Sequence, residues 1–263
     1  MSTAFGRELR RWRDLRRVSQ LQLSTEAGVS SRHLSFLESG RAQPSQAMVL
    51  RLAEHLGVPR EARNTLLGAA GFAPVWRRRA ADDAELAPLT GALRRMLDRH
   101  APFPAIAFDR RWRITDANGP AAQLFGGFGL GPGASLLEAM LDGQGLGAAI
   151  ENLADVAREI AARLRAELAH FGPDPELEAA AARFAMLGAQ AASDPGDAVV
   201  TPVRLRAGDV TLSFLSTLAQ FGSANDIALA DMRIELFFPL DLCLIHNSEP
   251  TRLFRSTRIP SSA

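Results

Sequence analysis

The sequence predicts two modules of different class: an all-α bundle of short helices over residues 1–80, then an α+β domain with one antiparallel sheet over residues 81–241. Three observations carry this expectation. Residues 1–80 repeat short segments of helical apolar periodicity, each closed by Gly or Pro, whereas the following residues mix strand-like runs with longer helical ones. The charge divides at the same place. Residues 1–80 hold 14 Arg against 6 acidic side chains, a net of +8, and residues 81–241 hold 13 against 22, a net of −9, inside a 263-residue chain whose formal net charge is only +1. A basic module that meets an anionic polymer is thus paired with an acidic one of different purpose.

In the basic module, Phe5, Leu9, Trp12 and Leu15 recur at helical spacing, with Arg7, Arg10, Arg11, Arg13 and Arg17 coating the other faces. Ser19 supplies an N-cap for a helix over Gln20–Ala27, and Gly28 ends it. Val29 packs in the turn, Ser30 caps a helix over Ser31–Ser39, and Gly40 stops that one. Two short helices across a tight Gly-containing turn make a helix-turn-helix. A fourth helix is expected from Ser45 to Leu56 and a fifth over Arg60–Ala70.

SQLQLSTEAGVSSRHLSFLESGRAQPS, with LRLAEHLGVP behind it, resembles the phage-repressor or XRE class of helix-turn-helix domains over about residues 5–70. The resemblance implies that the second helix of the motif enters the major groove of an operator in double-stranded DNA. Ser30, Ser31, Arg32, Ser35, Phe36 and Ser39 then fall on or beside the outward face. Arg32 suits the O6 and N7 of guanine, a bidentate contact worth about 1–3 kcal/mol of discrimination. Phe36 either offers an apolar surface to a thymine methyl or belongs to the core. Gln20 and Arg41 are placed for phosphates, which position the protein without specifying sequence.

The connector around Asp82, Asp83 and Glu85 leads to a helix over Leu89–Arg99. Strands are expected at 103–108 and 112–115 with a turn at Asp109–Arg111, then helices over Asn118–Phe125 and Leu136–Leu141. Gly145–Phe171 reads as one long amphipathic helix, followed by an Ala-rich helix over Pro175–Gln190. Three strands close the domain, at Val199–Leu205, Val210–Thr217 and Met232–Phe238, the first pair joined through Arg206-Ala207-Gly208-Asp209.

HAPFPAIAFDRRWRITDAN at 100–118, the run from Leu212 to Asp241, and the GFAPVWR junction at 71–77 resemble the MmyB-like ligand-binding domain, a PAS-like module that follows an XRE-type helix-turn-helix in many bacterial regulators. The complete expectation is therefore an all-α N-terminal helix-turn-helix bundle plus an α+β PAS-like C-terminal domain with an antiparallel sheet. The resemblance implies an apolar cavity between sheet and helices, associated in that family with a fatty-acid-like ligand. Phe108, Trp112, Leu124, Phe125, Ile160, Leu164, Phe214 and Phe237 supply apolar surface for such a pocket, or equally for a plain core. Arg113 and Arg233 are candidates to meet a carboxylate head group.

Other chemistry is not advertised. The glycines at 126–133 form a loose G-x-G-x-x-A after a helix, without Lys, and read as a loop. Five His without metal spacing and the single Cys243 disfavour a metal site, and no nucleophile motif appears, so neither an enzyme nor a cofactor is expected beyond a bound fatty-acid-like molecule. With no apolar run near the roughly 18 residues of a membrane span and no secretory leader, the expected compartment is the cytoplasm. Residues 242–263 lack periodicity and are expected to be a disordered or non-native tail. The reading is a ligand-responsive transcription regulator, expected to be a homodimer. The rival is a ligand-independent DNA-binding scaffold or antitoxin-like protein whose acidic domain binds a protein partner.

Overall fold

The computed structural model describes residues 3–80, 83–191, 199–208, 210–221 and 226–240; the tail at 242–263 and Asp209 of the expected hairpin turn lie outside them. These residues fall into two compact units, the first comprising residues 3–78, 166–174 and 226–227.

Residues 3–78 of the first unit form the helices α1 (Ala4–Leu15), α2 (Gln20–Glu26), α3 (Ser31–Ser39), α4 (Gln46–His55) and α5 (Arg60–Ala69). Their starts are set locally. The hydroxyls of Thr3, Ser19, Ser30 and Ser45 each accept the backbone N–H three residues on, which satisfies a donor that the helix itself leaves orphaned. Gly40 ends α3 in the left-handed conformation, with φ 79°. Phe5, Leu9, Leu23, Leu34, Leu37 and Leu52 fill the core. At the crossing of α1 and α3 there is room for no side chain: a Cβ on Gly6 would lie 2.3 Å from the carbonyl oxygen of Glu38. Gly6→Ala must push the two backbones apart, and we expect it to cost about 1–3 kcal/mol, read as a lower thermal midpoint by circular dichroism; an unchanged midpoint would refute the close crossing.

The second unit carries a five-stranded antiparallel sheet of order β2-β1-β5-β4-β3, formed by β1 (Ala105–Phe108), β2 (Ile114–Ala117), β3 (Val203–Ala207), β4 (Val210–Gln220) and β5 (Arg233–Pro239). Period-two alternation gives the sheet two faces. Ala105, Ala107 and Ile234 pack on Leu93 and Leu97 of α6 (Ala87–Arg99). Ile106, Phe214 and Phe237, with the opposite parity, face α7 (Gly119–Gly126), α8 (Leu136–Leu141), α9 (Gly145–Ala149) and the first half of α10 (Leu153–Phe171). The remaining helices are α11 (Pro175–Gly188) and α12 (Ile227–Asp231).

Three expectations shift. β3 runs over Val203–Ala207 instead of Val199–Leu205, because Arg206 and Ala207, expected in the turn, pair with Thr211 and Val210 of β4. The single helix over 145–171 is broken, because Ile150 leaves helical geometry to bridge Leu205 on β3, and the Asn152 side chain bonds Pro202 O at 2.8 Å and Arg204 N at 3.0 Å. β2 starts at Ile114 because Trp112 is still in the turn. Asp109 Oδ1 accepts from the backbone N–H of Arg111 (2.8 Å) and Arg113 (2.9 Å), and Trp112 is held at φ 60° between them. The glycine-rich loop serves the sheet: Gly133 N donates to Ile114 O (2.7 Å) and Ile114 N to Ala134 O (2.9 Å), covering the edge of β2.

Candidate functional site

α2 and α3 meet across the turn at Gly28, where φ is 64°. Leu34 and Leu37 point into the core, so the other faces of α3 carry what can be read from outside. Arg32 and Arg41 are exposed, and both guanidinium groups stack on Phe36, at 5.3 and 5.8 Å from the ring centroid. The half-buried Phe36 ring is thus a platform that lowers the freedom of two cations. Ser35 is half-buried beside it. Other sequence-identified hydroxyls have internal duties: Ser30 caps α3, Ser31 Oγ lies 2.9 Å from Ser24 Oγ, and Ser39 Oγ donates to Phe36 O at 3.3 Å.

Gln20 points inward. Its amide donates to Glu38 Oε2 at 2.7 Å, and the same fully buried carboxylate accepts from Arg13 Nε (2.9 Å) and Arg10 Nε (3.2 Å). Burial by itself would raise the Glu38 carboxyl, but the hydrogen bonds from Arg13, Gln20 and Arg10, with the charge of Arg13, outweigh it and hold the group below the ordinary carboxylate range. Arg16, further along α1, donates to Leu56 O (2.9 Å) and Gly57 O (3.2 Å). Much of the arginine coat therefore locks α1 to α3 and α4, a role with no local sequence signal.

The second unit holds a partly open cavity of about 300 Å³ between sheet and helices. Six of the eight apolar residues expected there line it: Trp112, Leu124, Phe125, Ile160, Phe214 and Phe237. Phe108 and Leu164 are fully buried and lie outside the lining. The expectation missed Met140 on the short α8, Leu146 and Ile150, which it had placed within one long helix, and the polar members Glu159, Arg163, Ser216 and Glu235. Neither expected head-group arginine reaches the cavity. Arg113 pairs with Glu176 at 2.8 Å, and Arg233 donates to Ala230 O at 3.0 Å.

A recognition helix with outward cations in one unit and a largely apolar cavity in the other define a DNA-binding regulator that carries a small-molecule-binding module. Residues 4–66 match the family model of a helix-turn-helix domain, and residues 89–242 match that of the MmyB-like transcription regulator ligand binding domain. The chain belongs to the MmyB-like transcription regulators: it binds DNA through the first module and a ligand through the second, and it is not an enzyme. A comparison with curated protein sequences gave no match. Among the described residues no helix is long and apolar enough to cross a membrane, and no group of three His, Cys, Asp or Glu is arranged to hold a metal ion.

Proposed function

We propose that this protein is a cytoplasmic, homodimeric regulator in which residues 1–80 read an operator and residues 81–241 sense a small apolar, fatty-acid-like ligand. The cavity, with its apolar walls, carries this reading; it also favours sensing over a ligand-independent scaffold, for which a closed interior would suffice. A ligand switches such a protein only by preferring one of its conformational states. In a dimer that preference acts on two recognition helices that must meet half-sites about 34 Å apart. Organic extraction and mass spectrometry of the purified protein, with operator affinity measured before and after ligand removal, test the reading. Co-purification of an apolar molecule and a changed affinity are expected. No extractable ligand and no response to added fatty acids would leave the scaffold.

At the DNA surface, Arg32 specifies and Arg41 positions. Arg32→Ala is expected to relax preference at one base pair and to cost about 1–3 kcal/mol on the best site. Arg41→Ala should weaken all sequences similarly and reduce the salt slope by about one. Binding to a set of single-base operator variants at several salt concentrations separates the two, and equal losses on every sequence for both variants would overturn the assignment.

A further inference from the structure

We propose that Phe36 reads a C5-methyl group in the major groove, on the base pair next to the guanine that Arg32 contacts, so that the operator core is a guanine flanked by thymine and 5-methylcytosine can stand in for that thymine. The proposal rests on the DNA reading above and specifies its chemistry. On and beside α3, the hydroxyls of Ser30, Ser31 and Ser39 are already bonded within the unit. The guanidinium groups of Arg32 and Arg41 are not: among the described residues neither makes a hydrogen bond or an ion pair, and each has the Phe36 ring as its partner. Their full donor sets are left for DNA.

The ring is held from its own backbone. The Phe36 carbonyl accepts from Arg41 N at 2.8 Å, Ala42 N at 3.2 Å and Ser39 Oγ at 3.3 Å, which ties the chain leaving α3 back onto this residue. Phe36 is half-buried, so part of its surface is fixed in the fold and part is left beside two exposed cations. Arg32 stands one helical turn before it, with the guanidinium carbon 5.3 Å from the ring centroid. Successive base pairs are about 3.4 Å apart along a duplex. A guanidinium seated on one base pair therefore leaves the ring at a neighbouring one.

The ring then selects by what it cannot do. In the major groove adenine, guanine and cytosine present acceptors or amino donors, and a hydrocarbon surface laid against them removes water without replacing its hydrogen bonds. Thymine alone among the four bases presents a methyl group there. Cytosine acquires the same apolar group when it is methylated at C5.

The test selects preferred sites for the full chain from a duplex pool of randomised sequence and identifies the guanine whose preference disappears in Arg32→Ala. The thymine beside it, in either strand, is then exchanged for uracil, cytosine or 5-methylcytosine. Uracil differs from thymine only by the methyl, as cytosine does from 5-methylcytosine. We expect each methyl to tighten binding about fourfold, the ratio for one such group withdrawn from water, and Phe36→Ala to bring both ratios to about one. Should that variant fail to fold, the wild-type ratios decide. Equal affinity with and without the methyl, no thymine beside the guanine, or ratios that Phe36→Ala leaves unchanged would overturn the proposal while the DNA reading stands. If the pool yields no preferred sequence, or no guanine that depends on Arg32, the reading beneath the proposal falls and the proposal with it.

Discussion

Glu38→Gln should destabilise the first unit by about 3 kcal/mol, a large part of the 5–15 kcal/mol that holds a typical domain folded. The carboxylate is fully buried and takes hydrogen bonds from Arg13, Arg10 and Gln20. Glutamine has nearly the same shape, but it removes the negative charge and turns an N–H₂ group toward three donors. Arg10 is half exposed, so its share is that of a surface pair, about 0–1 kcal/mol. Most of the loss comes from Arg13, whose side chain is only 14 % exposed and which keeps its charge in the variant. Replacing both partners with Met should recover much of the loss, because apolar substitutes for a buried ion pair are often neutral. Urea denaturation of the wild type, Glu38→Met, Arg13→Met and the double variant gives the coupling directly; a loss below about 1 kcal/mol for Glu38→Gln, measured beside them, would mean that the cluster is held no more firmly than a surface pair.

The same cluster sets a pH dependence. Because the Glu38 carboxyl is held below its ordinary range, the folded state keeps its negative charge to lower pH than the unfolded chain does. Its stabilisation is complete above the unfolded value, about pH 4.3, and is lost as pH falls through the folded one. Acid titration of the denaturation midpoint should therefore show a fall in the wild type below about pH 4 that is smaller in Glu38→Gln.

Elements whose causes are local were legible in the sequence. Ser19, Ser30 and Ser45 place the starts of α2, α3 and α4 because a capping hydroxyl acts over three residues, and Gly40 places an end for an equally local reason. What the sequence did not reveal depends on residues far apart in the chain. Arg10 and Arg13 look like part of a solvated coat until Glu38, more than twenty residues on, is brought beneath them. Helical periodicity ran through Ile150 because nothing nearby announces that it will bridge Leu205.

The cavity divides in the same way. Aromatic and aliphatic positions on recognisable elements supplied six of its wall residues, but Glu159, which stays exposed, and the half-buried Arg163 occupy what reads as the polar side of α10, and only the packed fold brings them to the cavity. Phe108 shares its face with the cavity-lining Ile106, yet the register shifts between Ala107 and Phe108, at the end of β1, and the ring is buried against Trp112.

In the second unit the largest loss is expected from Asn118→Ala, about 3–4 kcal/mol. Asn118 is 1 % exposed and uses its whole amide. Oδ1 accepts from Ala121 N and Ala105 N, each at 3.0 Å, and Nδ2 donates to Leu97 O at 3.0 Å and Phe103 O at 2.9 Å. One side chain thereby caps α7, fixes the entry to β1 and satisfies a carbonyl near the end of α6. Alanine loses the cap, typically worth about 1 kcal/mol, and removes partners from a buried N–H and two carbonyls. Asn118→Ser keeps an N-cap hydroxyl without the reach to the other three groups, so it should recover only the capping part. α7 carries Leu124 and Phe125 of the cavity wall, so the alanine variant should also bind an added fatty acid more weakly. Equilibrium denaturation of the two variants decides the matter: if alanine and serine cost the same, the cap contributes nothing, and if alanine costs less than about 1 kcal/mol, Asn118 does not hold these three elements together.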